Sequence, residues 1–189
     1  MDLAGLNRLD RQEAEHELLR CCGSTRWARA MAGARPFTNL AAMAAQADKI
    51  WRGLGPDDWL EAFGAHPRIS ACGHASTQAR QRAACEASAS GGGAPREIEK
   101  RRDADAWSRE EQAGANSASE AVSDRLAAAN EEYEARFGYI FIVCATGKTA
   151  DEMLAMLEHR LTNAPADELG VAAEEQRKIM QLRIGKLLA

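Results

Sequence analysis

Two stretches of this chain repeat apolar residues at the spacing of one helix face, and that spacing most constrains the fold. Val122, Leu126, Ala129, Tyr133 and Phe137 step by three or four residues, as do Ala150, Met153, Leu154, Leu157 and Leu161. A period of 3.6 gathers each set onto one side of a helix, which then needs another apolar surface to cover it. Start signals accompany the period. Asp10-Arg11-Gln12-Glu13, Ser117-Ala118-Ser119-Glu120 and Thr149-Ala150-Asp151-Glu152 fit capping boxes. Pro56 and Pro165 suit the first position of a helix. Alanine is abundant, aromatic residues make up only 5% and β-branched runs are scarce, so little favours strands. These features predict an all-α fold, a single compact multi-helix domain over 1–189. The expected helices cover 9–21, 25–32, 38–52, 56–63, 75–87, 103–113, 117–136, 149–162 and 165–188.

Two stretches break the pattern. Residues 87–95 contain Gly91-Gly92-Gly93 and read as a flexible surface loop inside an irregular Gly/Ser/Ala-rich segment, 71–105. From Phe137-Gly138 to Thr146-Gly147 an apolar run is bracketed by glycines. It suits a buried extended segment or a short helix, and periodicity does not choose between them.

Composition removes several classes of function. With 46% hydrophobic and 28% charged residues, the 189-residue chain can build a core and is neither disordered nor fibrous. Its net charge is −4 and its basic residues are scattered, apart from Lys100-Arg101-Arg102, so no nucleic-acid partner is expected. The first residues lack the apolar core of a signal peptide. The longest strongly apolar run, Tyr139 to Ala145, is far too short to span a membrane. The last residues, Lys186-Leu187-Leu188-Ala189, are not a peroxisomal address, and a cytoplasmic location is expected. The five cysteines are odd in number and show no CxxC spacing, so neither a disulfide framework nor a zinc site is expected. Cys144 reads as a small core residue.

Three positions stand out chemically. His66 precedes Pro67, which disfavours helical geometry at the histidine and stiffens the junction. An imidazole there can move a proton near neutral pH, although a lone loop histidine is more often a structural or solvated one. Ser108, Glu111 and Gln112 share a helix face at i, i+3 and i+4, and bring together a hydroxyl, a carboxylate and an amide. Such a face holds a ligand rich in N–H and C=O groups, or is simply solvated. Arg183 lies on an apolar stripe with Ile179, Met180 and Leu187. A guanidinium there either pairs with an anion, through a fork that matches a carboxylate, or reaches to solvent from the stripe's edge. The sequence contains no GxSxG, HExxH or Walker loop.

Taken in order along the chain, a set of segments resembles the 2-oxo-4-hydroxy-4-carboxy-5-ureidoimidazoline (OHCU) decarboxylase family. The first are Arg35-Pro36-Phe37, His66-Pro67-Arg68-Ile69 and Ser108-Arg109-Glu110-Glu111-Gln112-Ala113-Gly114. Asn130-Glu131-Glu132-Tyr133, Arg136-Phe137-Gly138 and the run Phe141 to Lys148 follow. Arg160-Leu161-Thr162-Asn163 and Glu174 to Ile179, leading to Leu182-Arg183-Ile184, complete the set. The resemblance implies an all-helical homodimer that needs no cofactor or metal and decarboxylates OHCU to (S)-allantoin in urate catabolism. It implies catalytic roles for His66, Glu111 and Arg183. It also implies substrate contacts at Pro67, Ser108, Gln112, Phe141, Ile142, Val143, Cys144 and Ala145. The chain departs from the family at Ser70, where glycine is usual, and in the long 71–105 segment. A hydrolase of a related ureido compound and a non-catalytic helical interaction module are the rival readings.

Overall fold

A computed structural model describes residues 1–69, 106–108, 110–113 and 119–189. Its regular elements among these residues are α-helices. Helix α1, Leu3–Arg8, was not expected; it is too short to show a period, and Asp2 starts it by accepting the Gly5 amide. Helix α2, Arg11–Cys22, is capped by Asp10, and α3, Thr25–Gly33, by Ser24. Helix α4, Leu40–Arg52, starts two residues later than expected because Asn39 is its cap. Helix α5, Pro56–Gly64, has its proline at the first position, as the sequence predicts.

The second half follows the same logic. Helix α6, Glu120–Phe137, is capped by Ser119, whose extended backbone and hydroxyl bond to the Val122 amide start the helix later than the box expected from Ser117; Ser117 itself lies outside the described residues. Helix α7, Ala150–Arg160, carries both halves of the expected Thr149/Glu152 box. Helix α8, Pro165–Leu187, closes the chain. Residues 106–108 and 110–111 are helical, inside the expected 103–113. The expected helix at 75–87 and the loop at 87–95 lie outside the described residues.

The apolar faces meet in two clusters. The larger joins α1 to α5 with α8 around Leu18, Trp27, Met31, Met43, Trp51 and Met180. Both indoles are anchored: Trp27 donates to the Ala47 carbonyl at 3.2 Å and Trp51 to the Ala173 carbonyl at 3.0 Å, the latter tying α4 to α8. The smaller cluster pairs α6 with α7 through Leu126, Tyr133, Met153 and Leu157, and takes in Ile69. These are the two helical stripes read from the sequence.

Residues 140–145 run between the clusters and are not helical. Phe141, Val143 and Ala145 pack into the smaller cluster, Ile142 and Cys144 into the larger. Such alternation belongs to an extended chain, and decides between the two readings left open above.

Two local devices steer the chain into the site. Arg35 donates to the carbonyls of Leu6 and Leu9 at 2.6 and 2.9 Å, while Asn7 and Phe37 exchange a pair of hydrogen bonds. The Arg35-Pro36-Phe37 segment therefore fastens the α1–α2 turn. Gly23 ends α2 with φ 79°, and a Cβ there would lie 2.5 Å from the Ala65 Cβ. That contact sets the end of α2 against the end of α5, one residue before His66.

Candidate active site

Helix α5 stops where Pro67 cannot continue it, and His66 closes the last turn by donating its amide to the Phe63 carbonyl at 3.1 Å. The imidazole turns inward, with Nε2 buried and without a hydrogen-bond partner among the described residues. Burial, followed by the positive charge of Arg183, lowers its pKa from 6.5 to about 3. Gln176 opposes that shift. Its amide nitrogen donates to the Cys22 carbonyl at 3.2 Å, while its buried oxygen has no completed hydrogen bond among the described residues. His66 is thus a neutral imidazole at neutral pH, held among groups with unused hydrogen-bonding capacity.

Arg183 does not reach to solvent. It is 4% exposed on the inner face of α8 and grips Glu111 side-on, Nε to Oε1 at 3.2 Å and Nη2 to Oε2 at 2.8 Å. The same Nη2 donates to the Ser108 hydroxyl at 2.8 Å. Lys186 Nζ lies 3.5 Å from Glu111 and 2.9 Å from Glu110. The fork does match a carboxylate, and that carboxylate belongs to the chain itself. A buried pair of this kind costs about 3–5 kcal/mol to break, because the remaining charge is stranded. Among the described residues, Glu111 pairs with cations and makes no hydrogen bond to His66.

The helix-face and segment residues divide into three groups. Gln112, Phe141, Ile142 and Val143 line a pocket with His66 and Pro67. Ser108, Glu111 and Arg183 form the ion-paired group described above, close enough for the Arg183 charge to act on the imidazole. Cys144 and Ala145 are buried and do not line the pocket. Instead the Cys144 amide donates to Glu175 Oε2 at 2.8 Å, and its carbonyl accepts from Lys148 at 2.6 Å. Burial pushes the Cys144 thiol above its usual range.

Sequence reading assigned no role to Ile69, Ile179, Glu175 or Gln176, all of which the structure brings to the site. Ile69 and Ile179 complete the pocket wall. Ile179 was visible as a member of the Arg183 stripe. Glu175 and Gln176 lie in the Glu174–Ile179 motif, but nothing in residue type distinguishes a buried amide or carboxylate on α8 from an exposed one. Among the described residues no group of three or more His, Cys, Asp and Glu is placed to hold a metal ion, and no helix is long and apolar enough to cross a membrane.

The helices and the pocket define an all-α protein with a buried histidine nitrogen facing a small cleft. The chain belongs to the OHCU decarboxylase family, whose model matches residues 7–185. It is 35% identical over 177 residues to the "Uric acid degradation bifunctional protein TTL" of Arabidopsis thaliana, covering 93% of this chain and 47% of that protein. It therefore spans about half the length of that relative. A 64-residue stretch is 41% identical to the "2-oxo-4-hydroxy-4-carboxy-5-ureidoimidazoline decarboxylase" of Amia calva, covering 34% of this chain and 37% of that one. The fold superposes with a TM-score of 0.67 on an OHCU decarboxylase crystallised in the presence of (S)-allantoin. That protein is 33% identical, and the match covers 92% of this chain and 97% of the other.

Proposed function

We propose that this chain decarboxylates OHCU to (S)-allantoin in urate degradation, and that it does so without a metal or organic cofactor. The observation that carries the reading is the neutral His66 imidazole, its Nε2 unpartnered in a pocket beside the Arg183–Glu111–Ser108 group. The substrate supports it chemically. Its carboxylate and a hydroxyl sit on a carbon next to an imine carbon, so the electron pair left when the carbon–carboxylate bond breaks passes onto the ring nitrogen. The ring is its own electron sink.

What remains for the protein is to orient the substrate, stabilise charge and move one proton. Neutral His66 accepts the proton of the substrate hydroxyl, which becomes a carbonyl, and delivers it to one face of the ureido-bearing carbon, while the ring nitrogen that took up the electron pair gains a proton from water. CO₂ leaves, and the product is a single enantiomer. Arg183 holds an anionic or carbonyl oxygen through Nη1, since its Nε–Nη2 side faces Glu111. Glu111 fixes Arg183. Ser108, Gln112, Pro67 and the Phe141–Val143 part of the segment hold the ring and ureido groups, Cys144 and Ala145 lying off the pocket. The family resemblance supports a cytoplasmic location and a homodimer, the second of which light scattering of the purified protein tests.

The direct test follows circular dichroism while urate oxidase and hydroxyisourate hydrolase generate fresh OHCU. Added protein should raise the (S)-allantoin signal at once, and His66→Ala should slow it by about 10²- to 10⁴-fold, the scale of general acid–base catalysis. A signal that stays at the uncatalysed, racemic pace with the wild-type chain removes the decarboxylase assignment.

A further inference from the structure

The extended run 140–145 has no β-strand beside it among the described residues, so among them no neighbouring strand fixes its backbone. In an extended chain the N–H and C=O of one residue point to the same edge and those of the next residue to the opposite edge. Three side-chain contacts to the run fall on even-numbered residues. The Ile142 carbonyl accepts from Arg160 Nη1 at 2.7 Å, the Cys144 amide donates to Glu175 Oε2 at 2.8 Å, and the Cys144 carbonyl accepts from Lys148 at 2.6 Å. All three therefore belong to one edge.

Two of these partners are buried charges, Arg160 on α7 at 4% exposed and Glu175 on α8 at 6%. Each is itself held. Arg160 Nε donates to Glu168 at 2.7 Å, and its guanidinium lies 4.7 Å above the Phe141 ring. Glu175 Oε1 meets Lys178 Nζ at 2.5 Å. Charged groups in such places are expensive unless they are paired, and here each spends part of its hydrogen-bonding capacity on one short piece of backbone.

We infer that Arg160 and Glu175 are positioning residues that replace a neighbouring strand, clamping one edge of 140–145 so that the other presents the Phe141 and Val143 backbone to the pocket. The inference rests on the proposed decarboxylase reading for its consequence in turnover, and on geometry alone for its consequence in the backbone. Glu175 is the better side chain to test, because removing Arg160 strands the buried Glu168.

Two substitutions separate reach from charge. Glu175→Gln loses the charge but keeps an oxygen at the same distance from the Cys144 amide. Glu175→Asp keeps the charge and withdraws the oxygen by one methylene. Lys178→Ala removes the ion pair and leaves the Cys144 contact. The readouts are kcat and KM on freshly generated OHCU, the exchange rate of the Cys144 amide proton, and the cooperativity of thermal unfolding. Glu175→Asp should lose on the order of 10²-fold in kcat/KM, as a displacement near 1 Å at a positioned group does, and its Cys144 amide should exchange faster. Glu175→Gln should lose less on both measures, Lys178→Ala should match wild type on both measures at a lower unfolding midpoint because Glu175 loses its cation, and all three should unfold cooperatively. Glu175→Gln falling below Glu175→Asp, or Lys178→Ala falling with it, would assign the effect to charge and overturn the clamp. So would an unchanged Cys144 exchange rate in Glu175→Asp. Should the wild-type chain leave OHCU untouched, the function reading fails, and Cys144 exchange alone still decides the positioning.

Discussion

His66 couples the site to the stability of the fold. Its pKa is about 3 in the folded chain against 6.5 as the ordinary value, with burial the main cause and Arg183 the second. Between those values the unfolded chain binds a proton that the folded chain refuses. Stability is therefore flat above pH 6.5 on this account and is lost as pH falls from about 6.5 towards about 3, with a slope approaching about 1.4 kcal/mol per pH unit. Urea denaturation of wild type and His66→Asn from pH 4 to pH 8 checks this: the variant should lack that component of the slope, and parallel curves would show that the imidazole is not neutralised by folding. Arg183 makes a second prediction. In Arg183→Lys one ammonium cannot meet both Glu111 oxygens and the Ser108 hydroxyl, so turnover should drop on the order of 10²-fold, as misplaced site groups do. Full activity in the assay described above would leave Arg183 with a structural role only.

Helices place these residues, and their junctions are where substitution should tell. Gly23 ends α2 in the left-handed region with its Cα against the end of α5. Gly23→Ala meets both a disfavoured φ and a Cβ contact of 2.5 Å with Ala65, and the junction before His66 has to shift. The left-handed conformation alone costs an L-residue about 1–2 kcal/mol, so the denaturation midpoint should fall by at least that equivalent, with turnover reduced as well; an unchanged midpoint would show the junction to be pliable. The same element scale explains what the sequence could reveal. Helices α6 and α7 each bury one face, so their stripes are visible as a 3.6 period. Arg183 was visible because a charge interrupts such a stripe. The 140–145 run was ambiguous because both its faces are apolar, and alternation between two cores leaves no trace in hydropathy. Helix α1 is too short to carry a period. Glu111 was legible as one of a polar helix face with Ser108 and Gln112, yet it bonds to a guanidinium 72 residues away in sequence, a pairing that only the packing of α8 creates.

At the scale of the molecule, a buried polar group spans the join between the two cores. Glu168, in the first turn of α8, is fully buried and receives Arg160 from α7, the Tyr133 hydroxyl from α6 and the Asn163 amide at 2.7 Å. Arg160 then reaches the Ile142 carbonyl, so three helices and the central segment share one cluster of charges. Breaking it from one side strands a buried guanidinium, and Glu168→Ala should cost about 3–5 kcal/mol. The double variant Glu168→Leu with Arg160→Met removes both charges, and should lose less than Glu168→Ala despite the orphaned Tyr133 hydroxyl and Ile142 carbonyl. Because the cluster links both cores, each of these proteins should still unfold in one transition, the two clusters melting together. A calorimetric scan of wild type, Glu168→Ala and the double variant reads both points. Two separated transitions in wild type would mean that the cores are independent, and a double variant weaker than Glu168→Ala would mean that the hydrogen bonds to backbone and tyrosine, not the paired charges, hold the join.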